Sequence, residues 1–484
     1  MKSQFFIAIP LVMFFTICAT AQKIPLTSSS EEAIIYYNEG WELEDRLELD
    51  AAEILYKKAV VLDSTFALAH LRLAMVKDNY DDRKERLKEA LKYIDKISDG
   101  EKLWILGSVD FYAEGYDGSK EYNYFKQLLA LYPNDEVANY LFGYVNIHHG
   151  THKPEIAIRH FKKAMDINPK YIKPVNYLAH AYLEARDYKN ALVTTEGYMA
   201  LLPNSVDPLD RFAEILMRSG AYQKSIDGYT EVLKIDNKYP WALMGIAANL
   251  NFLNRHSEAR TYIERLDESI LSDYEYRHKW KAQVVSYLDE GDTDKAIGVL
   301  EDQKQESISG KNSREPLFHI YYSFLRKTRI YFENGQAEKG LTEYKKWNEY
   351  VQENIKSEGT KTRIQHLSIY YEAYKLYLED NTVLALEKLA RFHKKNGETD
   401  ASNILTARIF MKEKNYLQAI ERLEQTDITS PYNQYWFMVA LEGSGKLEAA
   451  KQWRAQIVDL NDRNNINLAL VRKKAISALK DGSP

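Results

Sequence analysis

Small and apolar residues recur along the middle of the chain at helical spacing, and the helical segments themselves recur every 34 residues. Ala157, Ala191, Ser225 and Ala259 follow one another at that interval, and so do Ala179, Ala213 and Ala247. The segments Ile167-Asn168-Pro169-Lys170-Tyr171 and Ile235-Asp236-Asn237-Lys238-Tyr239 lie 68 residues apart, twice the same interval. A period of this length marks stacked supersecondary units, each burying its apolar face only against its neighbours. Within a unit the pattern reads as two antiparallel helices, A and B. Ala157, Phe161 and Ala164 share one face, and Ala52, Tyr56 and Ala59 repeat that arrangement. A small residue lets two helices cross closely, and the large residue one turn later fills the space beside the crossing. Pro133, Pro169 and Pro203 stand where helix B must stop, because proline has no amide hydrogen for the preceding turn.

These residues resemble the tetratricopeptide repeat (TPR) family: a small residue on helix A, Ala-x3-aromatic on helix B, and Pro after it. The resemblance implies an all-α fold, an α-solenoid of about twelve TPR-like helical hairpins wound as a right-handed superhelix. The helix-B small position falls at 52, 90, 121, 157, 191, 225, 259, 296, 340, 385, 419 and 449. Glu121 breaks the rule, and Gly340 takes the place of Ala. Residues 31–305 read as a regular TPR array. Residues 306–316 read as a loop at which the solenoid bends, and 317–464 as an irregular TPR-like array whose spacings widen to 44 and 45. The A helices expected near 314–333 and 361–379 are a turn or more too long for the family. Residues 465–480 read as one amphipathic capping helix, with Ile466, Leu470, Ala475 and Leu479 covering the end of the stack. A helix lying on a membrane surface is the other reading of that segment.

The N-terminus carries targeting information. Lys2 is its only charge, the apolar run from Phe5 to Ile17 is too short to span a bilayer, and Ala19-Thr20-Ala21 supplies small residues for a signal peptidase. Residues 1–21 are therefore expected to be a signal peptide cleaved after Ala21, followed by a short linker at 22–30, and the product to be periplasmic or secreted. Cys18, the one cysteine, lies inside the removed segment, so disulfides, thiol catalysis and cysteine metal sites are excluded from the mature chain. Lipoprotein anchoring through Cys18 is less favoured, because bulky Ile17 precedes it. No Asn has Ser or Thr two positions on, which favours a bacterial exported protein. No later stretch is apolar enough for a transmembrane segment. A hydrophobic content of 45% with 28% charged residues places the chain among folded proteins. Its net charge of -5, with both signs interspersed, offers no basic surface for nucleic acid.

The resemblance also implies a concave groove lined by the A helices. Its register places Tyr140 and Tyr144 in that groove with His148 at the edge, then Lys173, Asn176 and His180, then Asp207, Asp210 and Glu214, then Trp241 and Met244. The sequence leaves open whether this run is a peptide groove, with the three acids meeting a basic group, or an ordinary solvated face. Asp207, Asp210, Gly245 and Ala248 stand where a carboxylate clamp of the family needs Asn, Lys or Arg, which argues against that clamp. His148 and His152 are four apart, but Gly150, Thr151 and Pro154 read as a turn, so no metal site is assigned. Carboxylate groups such as Asp78/Asp81/Asp82 and Asp292/Asp294 fall at helix starts and read as caps. The 36 tyrosines read mainly as packing, Tyr56, Tyr182 and Tyr229 among them. The runs Tyr321-Tyr322, Tyr370-Tyr371 and Tyr374/Tyr377 suggest either tight inter-repeat packing or an aromatic binding strip. No cofactor and no catalytic residue is assigned. The reading is a non-enzymatic exported scaffold that binds a protein or peptide in its groove. A glycan- or small-ligand-binding envelope protein is the second reading, and an enzyme the third.

Overall fold

The computed structural model describes residues 23–76, 80–110, 118–148, 152–309 and 316–480. The leader with Cys18 and the cleavage site at Ala21 lies outside the described residues, as do Asp78 and positions 310–315 of the expected loop. The described residues form helices and no strand, as the all-α reading requires.

The chain divides into two compact units, residues 1–203 and 204–484. Unit 1 holds five hairpins: α1 (Glu31–Asp45) with α2 (Leu49–Leu62), α3 (Ala67–Met75) with α4 (Tyr80–Lys92), α5 (Asp99–Asp110) with α6 (Ser119–Leu131), α7 (Glu136–His148) with α8 (Pro154–Ile167), and α9 (Lys173–Glu184) with α10 (Tyr188–Leu201). Unit 2 opens with α11 (Val206–Arg218) and α12 (Tyr222–Ile235), α13 (Pro240–Phe252) and α14 (His256–Glu264), and α15 (Asp273–Glu290) and α16 (Thr293–Ile308). It continues with α17 (Pro316–Glu333) and α18 (Ala337–Asn354), α19 (Glu358–Leu378) and α20 (Thr382–Asn396), α21 (Asp400–Lys412) and α22 (Tyr416–Leu423), and α23 (Pro431–Gly443) and α24 (Leu447–Val458). Two short helices follow, α25 (Ile466–Ala469) and α26 (Arg472–Lys480). Consecutive helices from α1 to α10 and from α11 to α24 pack on one another within each unit.

Local chemistry sets the junctions. Asp63, Asp135, Asn168, Asp236, Asp267 and Asp427 stand between one hairpin and the next, and each accepts a hydrogen bond from the amide two residues on, at 2.8–3.1 Å. This short polar turn competes with helix continuation and fixes the re-entry angle of the following A helix. Several helix starts are capped by side chains, as where Asp292 accepts from the Lys295 amide, the capping role expected of that carboxylate.

The crossings follow the small-and-large rule. Ala52, Ala90, Ala157, Ala191, Ser225, Ala259, Ala296, Ala385 and Ala419 are all fully buried. Glu121 is buried too. Phe161 lies across Gly143, where a Cβ would come within 2.7 Å of the ring, and Tyr229 lies across Gly245, where it would come within 2.3 Å. Phe332 covers Gly340 in the same way. In the last hairpin the buried small residue is Ala450, one place beyond the expected 449.

Three further features differ from the sequence reading. Helices α17 and α19 are long, at 18 and 21 residues, as expected, but the division between compact units falls at Pro203/Asn204, and α16 packs directly on α17. The 465–480 segment is two helices instead of one: α26 packs on α24, while α25 turns inward against α15 and α23. Residues 23–30, expected to be a linker, form a strap pinned to three hairpin junctions. The Ile24 amide donates to Asp135 at 3.1 Å, the Thr27 amide to Glu101 at 2.7 Å and the Ser29 amide to Asp63 at 2.7 Å.

Gly245→Ala is expected to destabilise unit 2 by about 1–3 kcal/mol, because the new methyl meets a buried ring. Gly298→Ala, with open space at its Cβ position, is expected to be neutral or to stabilise by up to about 1 kcal/mol. Denaturant unfolding of the two variants checks the pair.

Candidate functional site

The residues singled out on α7 and α9 come together in unit 1. Tyr140 packs against Tyr171 and Tyr177, with ring centroids 5.5 Å apart in both pairs. Tyr144 lies 5.2 Å from Tyr177, and His148 stacks on His180 at 5.1 Å. Asn176 is half-buried on α9, and His148 is exposed at the end of α7. Burial pushes the Tyr140 phenol well above its ordinary range, so it stays neutral. Among the described residues no group of His, Cys, Asp and Glu is placed to hold a metal ion.

Lys173 leads from this face to residues the sequence did not single out. Its ammonium pairs with Glu44, which is buried and also accepts from Arg72 Nε at 2.9 Å and from the Tyr56 hydroxyl at 2.7 Å. Burial, with Arg72 nearby, pulls the Lys173 ammonium well below the usual lysine range. Arg72 and Lys173 lie 4.8 and 5.3 Å from the centre of the Trp41 ring. Trp41 meets Trp104 edge-on at 5.6 Å and Tyr171 at 5.7 Å. These aromatics line a cavity of about 780 Å³, with Asn38, Asp45 and Lys170 among its polar wall. Asp45 anchors that wall by accepting from the amides of Ile172 and Lys173 at 2.6 and 2.8 Å. The sequence register followed only the most regular repeats, whereas Trp41, Glu44 and Arg72 sit in the first two hairpins and reach α9 across about a hundred residues of chain.

In unit 2 the expected acidic stretch is occupied by the chain itself. The segment between α24 and α25 runs over the A-helix face of α11 and α13 and inserts Arg463. Its guanidinium lies 4.8 Å from the centre of the Trp241 ring, 3.9 Å from Glu214 and 3.4 Å from the Tyr229 hydroxyl. Asn461 accepts from the Tyr222 hydroxyl at 2.6 Å and donates to the Arg218 carbonyl at 3.2 Å, while Asp462 pairs with Arg218 at 3.6 Å. Glu214 also pairs with Arg211, and Asp207 sits half-buried in the first turn of α11. Met244 is fully buried, and the Asn464 amide reaches its sulfur at 3.8 Å, so it belongs to the core beneath the segment. The polar run Asp459-Leu460-Asn461-Asp462-Arg463-Asn464-Asn465, without helical periodicity, was the available sequence signal for this strap.

Burial raises the Asp210 carboxyl to about 7, with Arg463 opposing and Glu214 adding to the shift. Burial works against the Arg463 cation, but Tyr229, Glu214 and Asp210 outweigh it and keep it protonated.

No family model and no curated protein matches the chain. It is similar to several solved structures. A Rap protein complexed with competence and sporulation factor matches at a TM-score of 0.43 and 14% identity, over 67% of this chain and 98% of that one. A human IFIT1 dimer with m7Gppp-AAAA matches at 0.39 and 14%, over 89% and 90%. YrrB, a TPR protein with an unusual peptide-binding site, matches at 0.23 and 24%, over 37% and 90%. At these scores the likenesses carry no functional argument, and the helical-hairpin architecture rests on the chain's own helices.

The Asp210 shift gives a signed expectation. Its folded value lies above the ordinary aspartate value of 3.8, so between pH 4 and pH 7 the folded state holds a proton that the unfolded state has lost. Its contribution therefore favours folding at the acid end and declines as pH rises through 7. Asp207, Glu214, Arg211 and Arg463 all face this group. Thermal unfolding of unit 2 from pH 4 to 7 is expected to show a shallower fall of Tm with pH in Asp210→Asn than in the parent chain. Equal slopes would show that Asp210 titrates normally.

Proposed function

We propose that this protein is an exported, non-enzymatic scaffold of TPR type that binds protein partners as extended segments on its A-helix faces. One observation carries the reading. The α11–α13 face, whose Asp210, Glu214 and Trp241 the sequence marked as groove residues, holds a non-helical piece of polypeptide, the strap at 459–465, through a largely buried arginine and amide side chains. Capture of a non-helical chain needs side-chain anchors and hydrogen bonds, and this strap has both in Arg463 and Asn461. The strap at 23–30, held through its amides by Asp135, Glu101 and Asp63, uses the same principle on the other unit. In unit 1 the Trp41 cavity is the surface for a partner, with the Lys173–Glu44–Arg72 network beneath it. The Ala19-Thr20-Ala21 signal supports an envelope or extracellular setting. No described helix is long and apolar enough to cross a membrane.

The test replaces residues 460–465 with glycine and serine in the full chain and adds a labelled peptide copying residues 457–467. The Arg463-bearing peptide is expected to bind the replaced chain at least about tenfold more tightly than a copy with alanine there, since a charge-assisted contact is lost. The parent chain should bind it more weakly, because its own strap competes at high effective concentration. Equal binding of the two peptides would refute arginine reading by this face.

A further inference from the structure

Unit 2 holds a second cavity, of about 410 Å³, enclosed by α17, α19, α21, α23 and α25, away from the Arg463 seat. Its volume is near the small end of the range for ligand pockets, about 300–1,000 Å³. Tyr370, Tyr371, Tyr374, Tyr432 and Phe332 wall it. Phe332 stacks on Tyr371 and Tyr374 with centroids 5.1 and 4.9 Å apart, so the wall is a preformed ring cluster. Burial holds the Tyr370, Tyr371 and Tyr374 phenols above their ordinary range, so they are neutral.

The charges in this cavity are unevenly matched. Glu333 is engaged through its Oε1 atom, which accepts from the Tyr374 hydroxyl at 2.7 Å, from the Tyr432 hydroxyl, and from Arg408 at 3.2 Å. Arg408 is thereby neutralised, although its buried Nε finds no hydrogen-bond partner among the described atoms. Arg329 is different. It lies 4.3 Å from the centre of the Tyr432 ring, donates to Asn467 at 2.7 Å and helps hold the Glu333 carboxyl below its usual range, but makes no ion pair closer than 4.0 Å among the described residues. A half-buried guanidinium held by a ring and one amide keeps donors for an anion, and its fork suits a carboxylate. The opposite sign stands at the lip. Asp400 and Asp427 line the same cavity and are exposed, and Asn433 donates to Asp400 at 2.9 Å. Acids at the mouth disfavour a multiply charged anion such as a phosphate ester and favour a ligand that brings its own cation.

The geometry points to a binding site for a small aromatic zwitterion, a free amino acid or dipeptide, in this cavity. Its carboxylate is received by Arg329, its ring lies among Tyr370, Tyr374 and Tyr432, and its ammonium faces Asp400 and Asp427. The site is independent of the arginine-reading face, since none of its lining residues contacts Arg463 in the interactions given above. It assigns a use to the Tyr370-Tyr371 and Tyr374 run beyond packing.

Calorimetry on the full chain with the dipeptide Phe-Phe tests this, beside its N-acetyl and C-amide forms. The free dipeptide is expected to bind, the C-amide form to be weakened at least about tenfold, and the N-acetyl form to be weakened measurably. Arg329→Gln should abolish the difference between the free and C-amide forms. Asp400→Asn, which leaves the ring wall, Arg329 and Asp427 in place, should shrink the difference between the free and N-acetyl forms. It therefore serves as the control if the Arg329 variant loses stability. No heat with the free dipeptide at millimolar concentration would overturn the proposal. So would equal binding of the C-amide form, and equal binding of the N-acetyl form would remove the ammonium site and with it the zwitterion.

Discussion

The structure depends on close helix crossings at which one partner has no side chain. Phe161 over Gly143 and Tyr229 over Gly245 leave no room for a methyl group, and the fully buried alanines at 52, 157 and 259 perform the same service on the other side of the interface. Packing at this density makes each hairpin a plate two helices thick, whose broad faces must be covered by the next plate. Asparagine and aspartate turns recur at six of the junctions between hairpins, so each crossing leads into the next. The A-helix faces are thereby aligned within each unit as a by-product of core packing.

A stack of plates leaves polar inter-hairpin junctions and an unpaired A-helix face, and this chain covers both with its own non-helical segments. In unit 1 the strap at 23–30 supplies three amides to Asp135, Glu101 and Asp63, one from each of three junctions. In unit 2 the strap at 459–465 brings Arg463 to Trp241, Tyr229 and Glu214. Desolvating an arginine is costly unless opposite charge and hydrogen bonds replace water, and here acids and a ring do so. The raised Asp210 carboxyl is the other side of that exchange: burial strips it of water, and Glu214 and Asp207 add to the shift against Arg463 and Arg211.

Much of this was legible in the residues. Following the helix-B small position, regular at 34 only in the middle of the chain, located the twelve hairpins, because a buried small residue cannot drift in register without a clash. The one slip, Ala450 for 449, falls where a run of two alanines satisfies the pattern either way. On the α7–α9 face, Tyr140, Tyr144, His148 and His180 come together as an A-helix register places them. Met244 does not lie open, because α13 is buried almost all round and its register no longer separates a groove side from a core side. Trp41, Glu44 and Arg72 were invisible as a set, since they meet Lys173 only through the curvature of unit 1.

The sequence by itself determined the hairpins, their number, the crossings and the over-long helices α17 and α19, since each follows from local helix geometry and from which positions can be buried. Tertiary structure alone decided where the chain divides, that residues 23–30 and 459–465 are straps, and that Glu214 of α11 already meets an arginine. Those outcomes depend on small rotations added from hairpin to hairpin, and on segments without periodicity whose only instruction is which distant side chains can satisfy them.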